Sequence, residues 1–589
     1  MGTTMGTLQQ QPQPWRPPLW PFRVPERLGG WLRWIARVWL VVATVAFVVG
    51  VFQGRLPRGL DRQSSEVMIQ LALLGIVVVG ELLAWRWQAI GASVITAGAI
   101  ALGVMAAIEH SPINALLVTL IFFLPAFLYW LDWQRTRSIK AIVTLAVALS
   151  VFLAAGGIRA NQVYQSYRGP THPASPLRAA PVTLVEWIWS GAQTTDSITV
   201  NAKLVRDSEA VYLLISEFDD LREPAMYGPV TTNEQSDRIV SITAEGLEPD
   251  TRYYYAVQAD SETDRSRLGH FKTFADKPFT FTFAVGGCAL TGSNGQVFDT
   301  IRESDPLFYL ALGDVFYENI SVNDPDAYRA AYAKILTSPA QSALYRDVPI
   351  AYVWDDHDFG PNNADRTAPG KEAAQQVYRQ IVPHYPLPAG DTGPIYRAFT
   401  VGRVRFIVTD ARSEKAPSGD PDNPDKTMLG AEQKEWLKQE LLAASQTNSL
   451  IVWVNSLPWI GPATSTADYW AGYATERREL ADFIAQNNIS GILMLSGDAH
   501  MVAIDDGTNS DYATNGGAGF PVFHTAALDR PGSVKGGPYS EGTYPGGGHF
   551  GLVTVDDDGG STLTVTLSGR DYHGNEIVGY TFQVPAVTH

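Results

Sequence analysis

Long apolar runs fill the first 160 residues of this 589-residue chain, and shorter runs broken by polar residues follow. Each of five long runs is close to the roughly 20 residues that a helix needs to cross a bilayer. The runs cover residues 35–53, 66–85, 89–108, 113–131 and 141–158. They show no polar face, which a helix buried in a soluble domain would have. A signal peptide would account for one run only, so the pattern predicts an all-α segment with five membrane spans over 1–160.

The positions of the basic residues predict how this segment is oriented, because Lys and Arg favour cytoplasmic loops. On the side of the N-terminus lie Arg16, Arg23, Arg27, Arg33, Arg37, Arg86, Arg135, Arg137 and Lys140. On the other side lie only Arg55, Arg58, Arg62 and Arg159. We therefore expect a cytoplasmic N-terminus and an extracytoplasmic region after residue 160. No ion pair or interrupted helix marks a transport path, so anchoring is the expected role, with sensing or partner binding as alternatives.

A second pattern begins after a linker at 161–180, which is rich in Pro, Ser, Arg and Ala. Short alternating strands are predicted from Val182, Ser197, Ala210, Arg238 and Arg252, which indicates a β-sandwich over 181–278. The stretch 247–255, Leu-Glu-Pro-Asp-Thr-Arg-Tyr-Tyr-Tyr, resembles the corner before a late strand of fibronectin type III domains. A generic all-β domain is the alternative, and either would space or cover the region that follows.

From residue 279 to the C-terminus, short apolar strands alternate with helical segments, which predicts an α/β fold with helices covering the sheet. The predicted strands begin at Phe281, Leu307, Pro349, Val404, Leu450 and Gly491. The predicted helices cover 324–336, 371–382, 430–445 and 475–486. In such folds active sites form at the carboxyl ends of the strands.

Polar clusters follow five of these strands: Gly286–Cys288, Gly313–Tyr317, Trp354–Asp358, Asn455 and Ser496–His500. Each cluster supplies a thiolate, carboxylate, phenolate, imidazole or amide. Oxygen donors with a few nitrogen and sulfur donors suit two ions of iron, manganese or calcium better than a closed zinc site. Any one of these side chains could be a core residue, a helix cap or part of a turn. Together they predict a bimetallic site, in which Asp314 is the natural bridge.

The two regions carry opposite net charges, and the composition of the chain excludes several classes of protein. Residues 1–160 hold 13 basic and 6 acidic residues, a net charge of +7, and residues 161–589 hold 31 and 54, a net charge of −23. Hydrophobic residues make up 46% of the chain, which excludes a disordered protein. The single cysteine excludes an internal disulfide framework and a cysteine-cluster zinc site. The acidic outer region argues against nucleic-acid partners.

In order along the chain, these motifs resemble those of the PhoD-like alkaline phosphatases, a branch of the calcineurin-type metallophosphatases. The matching stretches are Gly286–Cys288, Gly313–Tyr317, Trp354–Asp358, Asp410–Ser413, Leu429–Leu437 and Ser496–His500. The resemblance covers about 280–570, and the preceding β-sandwich fits the family, whereas the five-span segment does not belong to it. It implies a two-sheet αββα sandwich that hydrolyses phosphate esters at an iron and calcium centre, with manganese or zinc as alternative metals.

The same resemblance implies roles for individual residues. Iron would be bound by Cys288, Asp314 and Tyr317, with a visible tyrosinate–iron band. The second metal region would take Asp314, one of Asp355 and Asp356, and Asp498, while His500 aligns with a metal-binding histidine of the superfamily. His357 would be the acid that protonates the leaving oxygen. Arg412 fits a phosphate-binding residue and a structural salt bridge equally well.

Three positions depart from the wider superfamily. Cys288 and Asn455 stand where histidines are usual, and Asp358 replaces a common Glu. Cys288 matches the PhoD-like branch, whereas Asn455 is a weak ligand candidate. The sequence thus predicts a membrane-anchored, extracytoplasmic, metal-dependent phosphatase. A phosphodiesterase or phospholipase D-type hydrolase with the same centre is the alternative, followed by a non-catalytic membrane receptor.

Overall fold

The computed structural model describes residues 26–55, 64–109, 112–134 and 173–587. The contacts between Cα atoms divide the chain into two compact units, Met1–Asn161 and Gln162–His589. The division falls next to residue 160, where the predicted anchor ends and the charge of the chain changes sign.

The described part of the N-terminal unit consists of long apolar helices. They are α1 (Glu26–Arg55), α2 (Ser64–Ala84), α3 (Gln88–Glu109) and α4 (Pro112–Gln134). These helices coincide with the first four predicted spans, and the fifth, 141–158, lies outside the described residues.

Only α1 contains an 18-residue stretch, Gly30–Phe47, that is long and apolar enough to cross a membrane among the described residues. The apolar stretches of the other helices are shorter: Leu71–Ala84, Gln88–Gly103 and Val118–Trp133. A single such helix near the N-terminus also fits a signal sequence, so the number of spans stays a prediction.

A polar cluster lies between the helices of this unit, at the ends that the basic residues assign to the cytoplasm. The Tyr129 hydroxyl on α4 donates to a carboxylate oxygen of Glu81 on α2 at 2.6 Å. Gln88 on α3 donates to Asp132 on α4 at 2.8 Å, and the Arg33 Nε lies 3.7 Å from the same carboxylate. Both carboxylates are buried. The residues are far apart in the sequence, so only the packing of the helices reveals this cluster.

Two β-sheets packed face to face open the second unit. Their strands are β1 (Val185–Gly191), β2 (Ser197–Leu204), β3 (Ser208–Ser216), β4 (Ala225–Thr232), β5 (Ile239–Glu245), β6 (Arg252–Ala259), β7 (Glu262–Thr263) and β8 (Gly269–Lys272). Alternating residues such as Val200 on β2 and Leu213 on β3 meet in one core between the sheets. The backbone N–H of Glu248 donates to the Tyr253 hydroxyl at 3.0 Å, which ties the corner before β6 to that strand.

The remaining strands form the body of the second unit. They are β9 (Phe281–Gly286), β10 (Tyr309–Ala311), β11 (Ile350–Tyr352), β12 (Arg397–Val401), β13 (Val404–Val408), β14 (Leu450–Val454), β15 (Ile492–Ser496), β16 (Met501–Asp505), β17 (Val522–Thr525), β18 (Thr543–Pro545), β19 (Phe550–Asp556), β20 (Thr562–Arg570) and β21 (Glu576–Pro585). The helices are α5 (Gln296–Glu303), α6 (Pro325–Thr337), α7 (Pro339–Asp347), α8 (Asp356–Phe359), α9 (Lys371–Ile381), α10 (Ala431–Thr447) and α11 (Ala474–Gln486).

These strands build two sheets that pack on each other between layers of helices. One sheet has the order β21-β20-β19-β9-β10-β11-β1-β2-β5, and the other has the order β12-β13-β14-β15-β17-β16-β18. Phe283 of the first sheet meets Phe406 of the second edge-on, with ring centroids 5.3 Å apart. Tyr332 of α6 extends this core on one side, and Leu437 of α10 belongs to a second core on the other. The predicted α/β fold with helices covering the sheets is confirmed.

The β-sandwich and the region after residue 279 share one of these sheets. Strand β1 runs parallel to β11 with Gly191 opposite Ile350, where a Cβ on the glycine would lie 2.4 Å from the Ile350 carbonyl oxygen. The Trp189 indole donates to the Ile381 carbonyl at 2.8 Å at the end of α9. The predicted boundary at residue 279 therefore separates the two parts in sequence, while the hydrogen-bonded sheet continues across it.

Candidate metal centre

The candidate site lies where parallel strands of both sheets end. Strands β9, β10 and β11 are parallel in one sheet, and β13, β14 and β15 are parallel in the other. Neighbouring parallel strands present their carboxyl ends at the same edge of a sheet, so the polar clusters that follow them meet. The structure joins all the sequence-predicted site residues through direct contacts: Cys288, Asp314, Tyr317, Asp355, Asp356, His357, Arg412, Asp498 and His500.

Two groups of side chains offer ligand atoms close enough to share a metal ion. Within each group these atoms all lie within 4.8 Å of one another. The groups are Asp314 with Asp356 and His357, and Asp355 with Asp356 and Asp498. All five residues are buried, and Asp356 belongs to both groups. The arrangement therefore offers two neighbouring cation positions.

Sulfur and phenol donors border this carboxylate cluster. The Cys288 Sγ lies 3.7 Å from the Asp314 Oδ2, and the Tyr317 hydroxyl lies 3.1 Å from the His500 Nε2. The His500 Nδ1 donates to the Pro531 carbonyl at 2.7 Å, so its Nε2 presents a lone pair to Tyr317. Burial raises the pKa of the Tyr317 phenol, and the charge of Asp314 raises it further. A bound cation would lower the pKa of this phenol and favour the phenolate.

Tight backbone approaches place the ligand candidates. Cys288, Asp314 and Asp498 adopt left-handed conformations with φ of 60°, 55° and 70°. Such conformations cost about 1–3 kcal/mol each and persist at functional sites where the surroundings enforce them. A Cβ on Gly313 would lie 2.5 Å from the Asp355 Cβ, so only glycine lets the ends of β10 and β11 come this close.

The Asp358 carboxylate holds these strand ends together. Its oxygens accept backbone N–H groups from Asp314 at 2.5 Å, Val315 at 2.9 Å and Asp355 at 3.1 Å. Burial raises the pKa of Asp358 to about 7, against the opposing effect of these hydrogen bonds. The residue is thus engaged by the backbone of two ligand-bearing loops.

Arg412 forms a fully buried ion pair with a ligand candidate. Its Nε lies 2.6 Å from the Asp355 Oδ1, which also accepts the Ser456 hydroxyl at 2.9 Å. Three atoms of this group have no hydrogen-bond partner among the described residues: the Asp355 Oδ2, the Asp356 Oδ1 and the Arg412 Nη2. The structure shows the salt bridge that one interpretation of Arg412 expects, and phosphate binding by this residue stays a prediction.

Several residues near the site carry no sequence motif. The Lys535 Nζ lies 2.9 Å from both Asp498 oxygens and 3.3 Å from the Asp468 Oδ2. The Arg530 guanidinium carbon lies 4.1 Å from the centre of the Tyr317 ring. The Asn319 Oδ1 lies 2.8 Å from the His357 Nδ1. Of these residues only Lys535 lies in the Gly-rich stretch 532–548, whose composition is typical of a loop.

Asn455, the weak ligand candidate, makes no side-chain hydrogen bond to the other site residues that the structure describes. Its Nδ2 donates to the Leu457 carbonyl at 2.6 Å, and its Oδ1 is buried without a partner.

The donor set fits metal cations. Burial raises the pKa of Asp314 well above its usual range, and the charges of Asp356 and Asp355 raise it further. A buried carboxylate needs a hydrogen-bond donor or a cation, and Asp355 and Asp356 each have an oxygen that accepts no hydrogen bond among residues 173–587. The Asp356 Oδ1 lies 3.7 Å from the Arg412 Nη2. Hard oxygen donors beside one thiol and two imidazoles match a site for two metal ions.

The His357 ring has a fixed orientation. Its Nδ1 lies 2.8 Å from the Asn319 Oδ1, and that oxygen also accepts the backbone N–H of Asn362 at 3.0 Å. The Asn319 oxygen can only accept, so the His357 Nδ1 carries the hydrogen. Burial lowers the pKa of His357 to about 4, the charge of Asp356 opposes this, and that of Arg530 adds to it. The Nε2 makes no hydrogen bond to the described residues.

The region that holds the candidate site matches models of a known protein family. Residues 283–543 match the family model described as PhoD-like phosphatase, and 174–275 match the PhoD-like phosphatase N-terminal domain. Residues 26–141 match a domain of unknown function, DUF7670.

Individual relatives are more distant. Alkaline phosphatase D of Bacillus subtilis (strain 168) is 28% identical over 44% of this chain and 53% of its own length. Purple acid phosphatase 23 of Arabidopsis thaliana is 23% identical over 46% of this chain and 58% of its own. The chain thus spans about half the length of the curated relatives it matches. The structure titled "Structure of PhoD" is 20% identical with a TM-score of 0.56, over 70% of this chain and 92% of that one, and shows the shared fold.

The two PhoD-like models adjoin each other and together cover the β-sandwich and the candidate metal centre. The chain therefore belongs to the PhoD-like phosphatase family.

Proposed function

We propose that the chain is a membrane-anchored, extracytoplasmic hydrolase of phosphate esters that uses two metal ions. The observation that carries this proposal is the buried cluster of Asp314, Asp355, Asp356 and Asp498 at the carboxyl ends of parallel strands. The named phosphatases among its relatives support the same reaction class.

We assign the metal ligands by combining the family motifs with the observed contacts. Cys288, Asp314 and Tyr317 would hold iron, Asp314 would also face the second position, and Asp498 with Asp355 or Asp356 would complete the calcium site. When bound, two such ions bind phosphate, supply hydroxide and stabilise in-line displacement. His500 would join the centre through the Nε2 lone pair that now faces Tyr317.

The other residues of the site would orient these ligands and the leaving group. The Asp358 carboxylate holds the loops after β10 and β11, and Arg412 fixes Asp355. Asp358 and Arg412 are buried away from water, where a low dielectric constant strengthens the interactions that hold the ligands in place. His357, oriented by Asn319, would protonate the leaving oxygen.

The full-length chain, purified in detergent, tests this function. We expect about one iron and about one calcium ion per chain, because a two-metal site needs both. We also expect a visible tyrosinate–iron band, and hydrolysis of p-nitrophenyl phosphate that stops when a chelator removes the metals. Bis(p-nitrophenyl) phosphate distinguishes the phosphodiesterase alternative, since a monoesterase cleaves it poorly. A metal-free, colourless and inactive preparation would refute the proposal, and manganese or zinc in place of iron would refute only the iron assignment.

We further propose that the N-terminal unit spans the membrane five times, with a cytoplasmic N-terminus. The distribution of basic residues and the four long apolar helices support this topology. The sandwich at 181–278 would act as a fibronectin III-like spacer between this anchor and the hydrolase at 279–589, after a linker at 161–180.

The single cysteine makes this topology testable by labelling. Cys288 is buried, so an introduced cysteine is the only accessible thiol in the described part of the folded chain. In intact cells we expect a membrane-impermeant maleimide to label Val182→Cys, and to label Thr4→Cys and Arg86→Cys only after lysis. Labelling of Arg86→Cys in intact cells would contradict five spans and favour a single span through α1.

A further inference from the structure

Arg530 lies beside the candidate centre, on the segment that follows β17. Its guanidinium carbon is 4.1 Å from the centre of the Tyr317 ring. The same ring has its centroid 4.1 Å from that of His357, and its hydroxyl is 3.1 Å from the His500 Nε2. A cation therefore stands next to three side chains that we place at the metals or at the leaving group.

This cation forms no salt bridge among residues 173–587, and the adjacent Asp529 interacts with it only through its charge. No hydrogen bond or salt bridge engages its guanidinium there, and its Nε is buried without an acceptor. The other cations of the site are occupied, since Arg412 pairs with Asp355 and Lys535 pairs with Asp498. A guanidinium offers five N–H donors in a planar fork that matches the oxygens of a phosphoryl group. Arg530 thus differs from Arg412 and Lys535 because its guanidinium donates to no carboxylate among the described residues.

The segment that carries Arg530 is fixed on both sides. The Asp529 carboxylate accepts the Leu290 backbone N–H at 2.6 Å and the Ser293 hydroxyl. The Pro531 carbonyl accepts from the His500 Nδ1 at 2.7 Å. These anchors tie the residues on either side of Arg530 to loops that bear ligand candidates. The guanidinium is therefore positioned before any substrate arrives, which reduces the entropic cost of binding.

We propose that Arg530 binds the non-bridging oxygens of the substrate's phosphoryl group and of inorganic phosphate. This inference rests on the proposed hydrolase function and replaces Arg412 as the phosphate-binding arginine. The second unit carries a net charge of −23, which repels a phosphate anion. A positive charge at Arg530 would offset this repulsion beside the candidate centre.

The test compares Arg530→Ala and Arg530→Lys with the wild-type full-length chain, each with its bound metals. We expect Arg530→Ala to raise the KM for p-nitrophenyl phosphate and the inhibition constant of inorganic phosphate at least tenfold, with a smaller change in kcat. Arg530→Lys should lie in between, because it keeps the charge and loses the fork. Calorimetric titration with inorganic phosphate supplies a reading that does not depend on turnover. Arg206→Ala, which removes an exposed arginine paired with Glu262 in the β-sandwich, is the control.

Metal content and melting temperature are measured on each variant, which distinguishes a loss of phosphate binding from a loss of metal or of folding. Unchanged phosphate affinity in a folded, metal-loaded Arg530→Ala chain would overturn the proposal. Loss of metal from both variants would also overturn it, because Arg530 would then position the centre rather than bind phosphate. A wild-type chain that binds phosphate through Arg530 but hydrolyses no ester would refute the hydrolase function and leave the phosphate site intact.

Discussion

Asp314→Asn is expected to lower kcat/KM at least about a thousandfold, which corresponds to roughly 4 kcal/mol of transition-state stabilisation. The substitution keeps the shape of the side chain and removes its charge. Asp314 contacts two neighbouring ligand candidates, because its Oδ1 accepts the His357 backbone N–H at 3.2 Å and its Oδ2 lies 3.7 Å from the Cys288 Sγ. An amide bridges two cations poorly, so we expect both metals to be lost or weakened.

The same variant is expected to change stability in opposite directions with and without metal. Burial and the charges of Asp356 and Asp355 raise the pKa of Asp314, so its ionised form destabilises the metal-free fold at neutral pH. In chelator, Asp314→Asn should therefore melt at or above the wild-type temperature. With metals bound, the wild type should melt higher, because ligands that bind only the folded state stabilise it.

Asp557→Asn supplies the matched control for this prediction. Asp557 is a buried aspartate that pairs with Arg403, and we assign it no part in the centre. This control should keep its metals and its activity while losing stability. If Asp314→Asn retained full activity and both metals, the assignment of the centre would be wrong.

The parts of the site that the sequence predicted are those encoded by local pattern. Strands β9 and β15 are short apolar runs, and Gly287–Cys288 follows the first while Gly497–Asp498 follows the second. Chain continuity alone then places each cluster at a strand end, and parallel pairing brings the ends together. The fold class followed from the same alternation of strands and helices.

Relations between distant segments could not be predicted in this way. Arg530 and Lys535 lie on a Gly-rich segment without periodicity, so nothing local shows that it folds back over Tyr317 and Asp498. The sequence left Arg412 open as a phosphate-binding residue or a structural salt bridge, and its pairing with Asp355 depends on how the two sheets pack. The continuation of the sheet from β1 to β11 likewise rests on a single pairing, Gly191 with Ile350, between segments about 160 residues apart.

His357→Gln is expected to slow hydrolysis in proportion to how much the leaving group needs a proton. For an alkyl phosphate, we expect kcat to fall by about 10²–10⁴, the usual contribution of a general acid. For p-nitrophenyl phosphate the loss should be much smaller, because p-nitrophenolate leaves without protonation. A plot of log kcat against the leaving-group pKa should therefore be steeper for the variant than for the wild type. His384→Gln, at a half-buried histidine bonded to the Tyr385 carbonyl, is the control.

Metal content decides between the two roles that the position of His357 allows. Its Nδ1 carries the hydrogen, so the Nε2 can bind a cation when the ring is neutral or donate a proton when the ring is charged. Burial lowers the pKa of His357 to about 4, so the acid role requires the arriving phosphate anion to favour the charged ring. We expect His357→Gln to keep both metals, because Cys288, Asp314 and Tyr317 suffice for one and Asp498 with Asp355 or Asp356 for the other. A variant that lost a metal and slowed all esters equally would show that His357 is a ligand, and the acid assignment would be wrong.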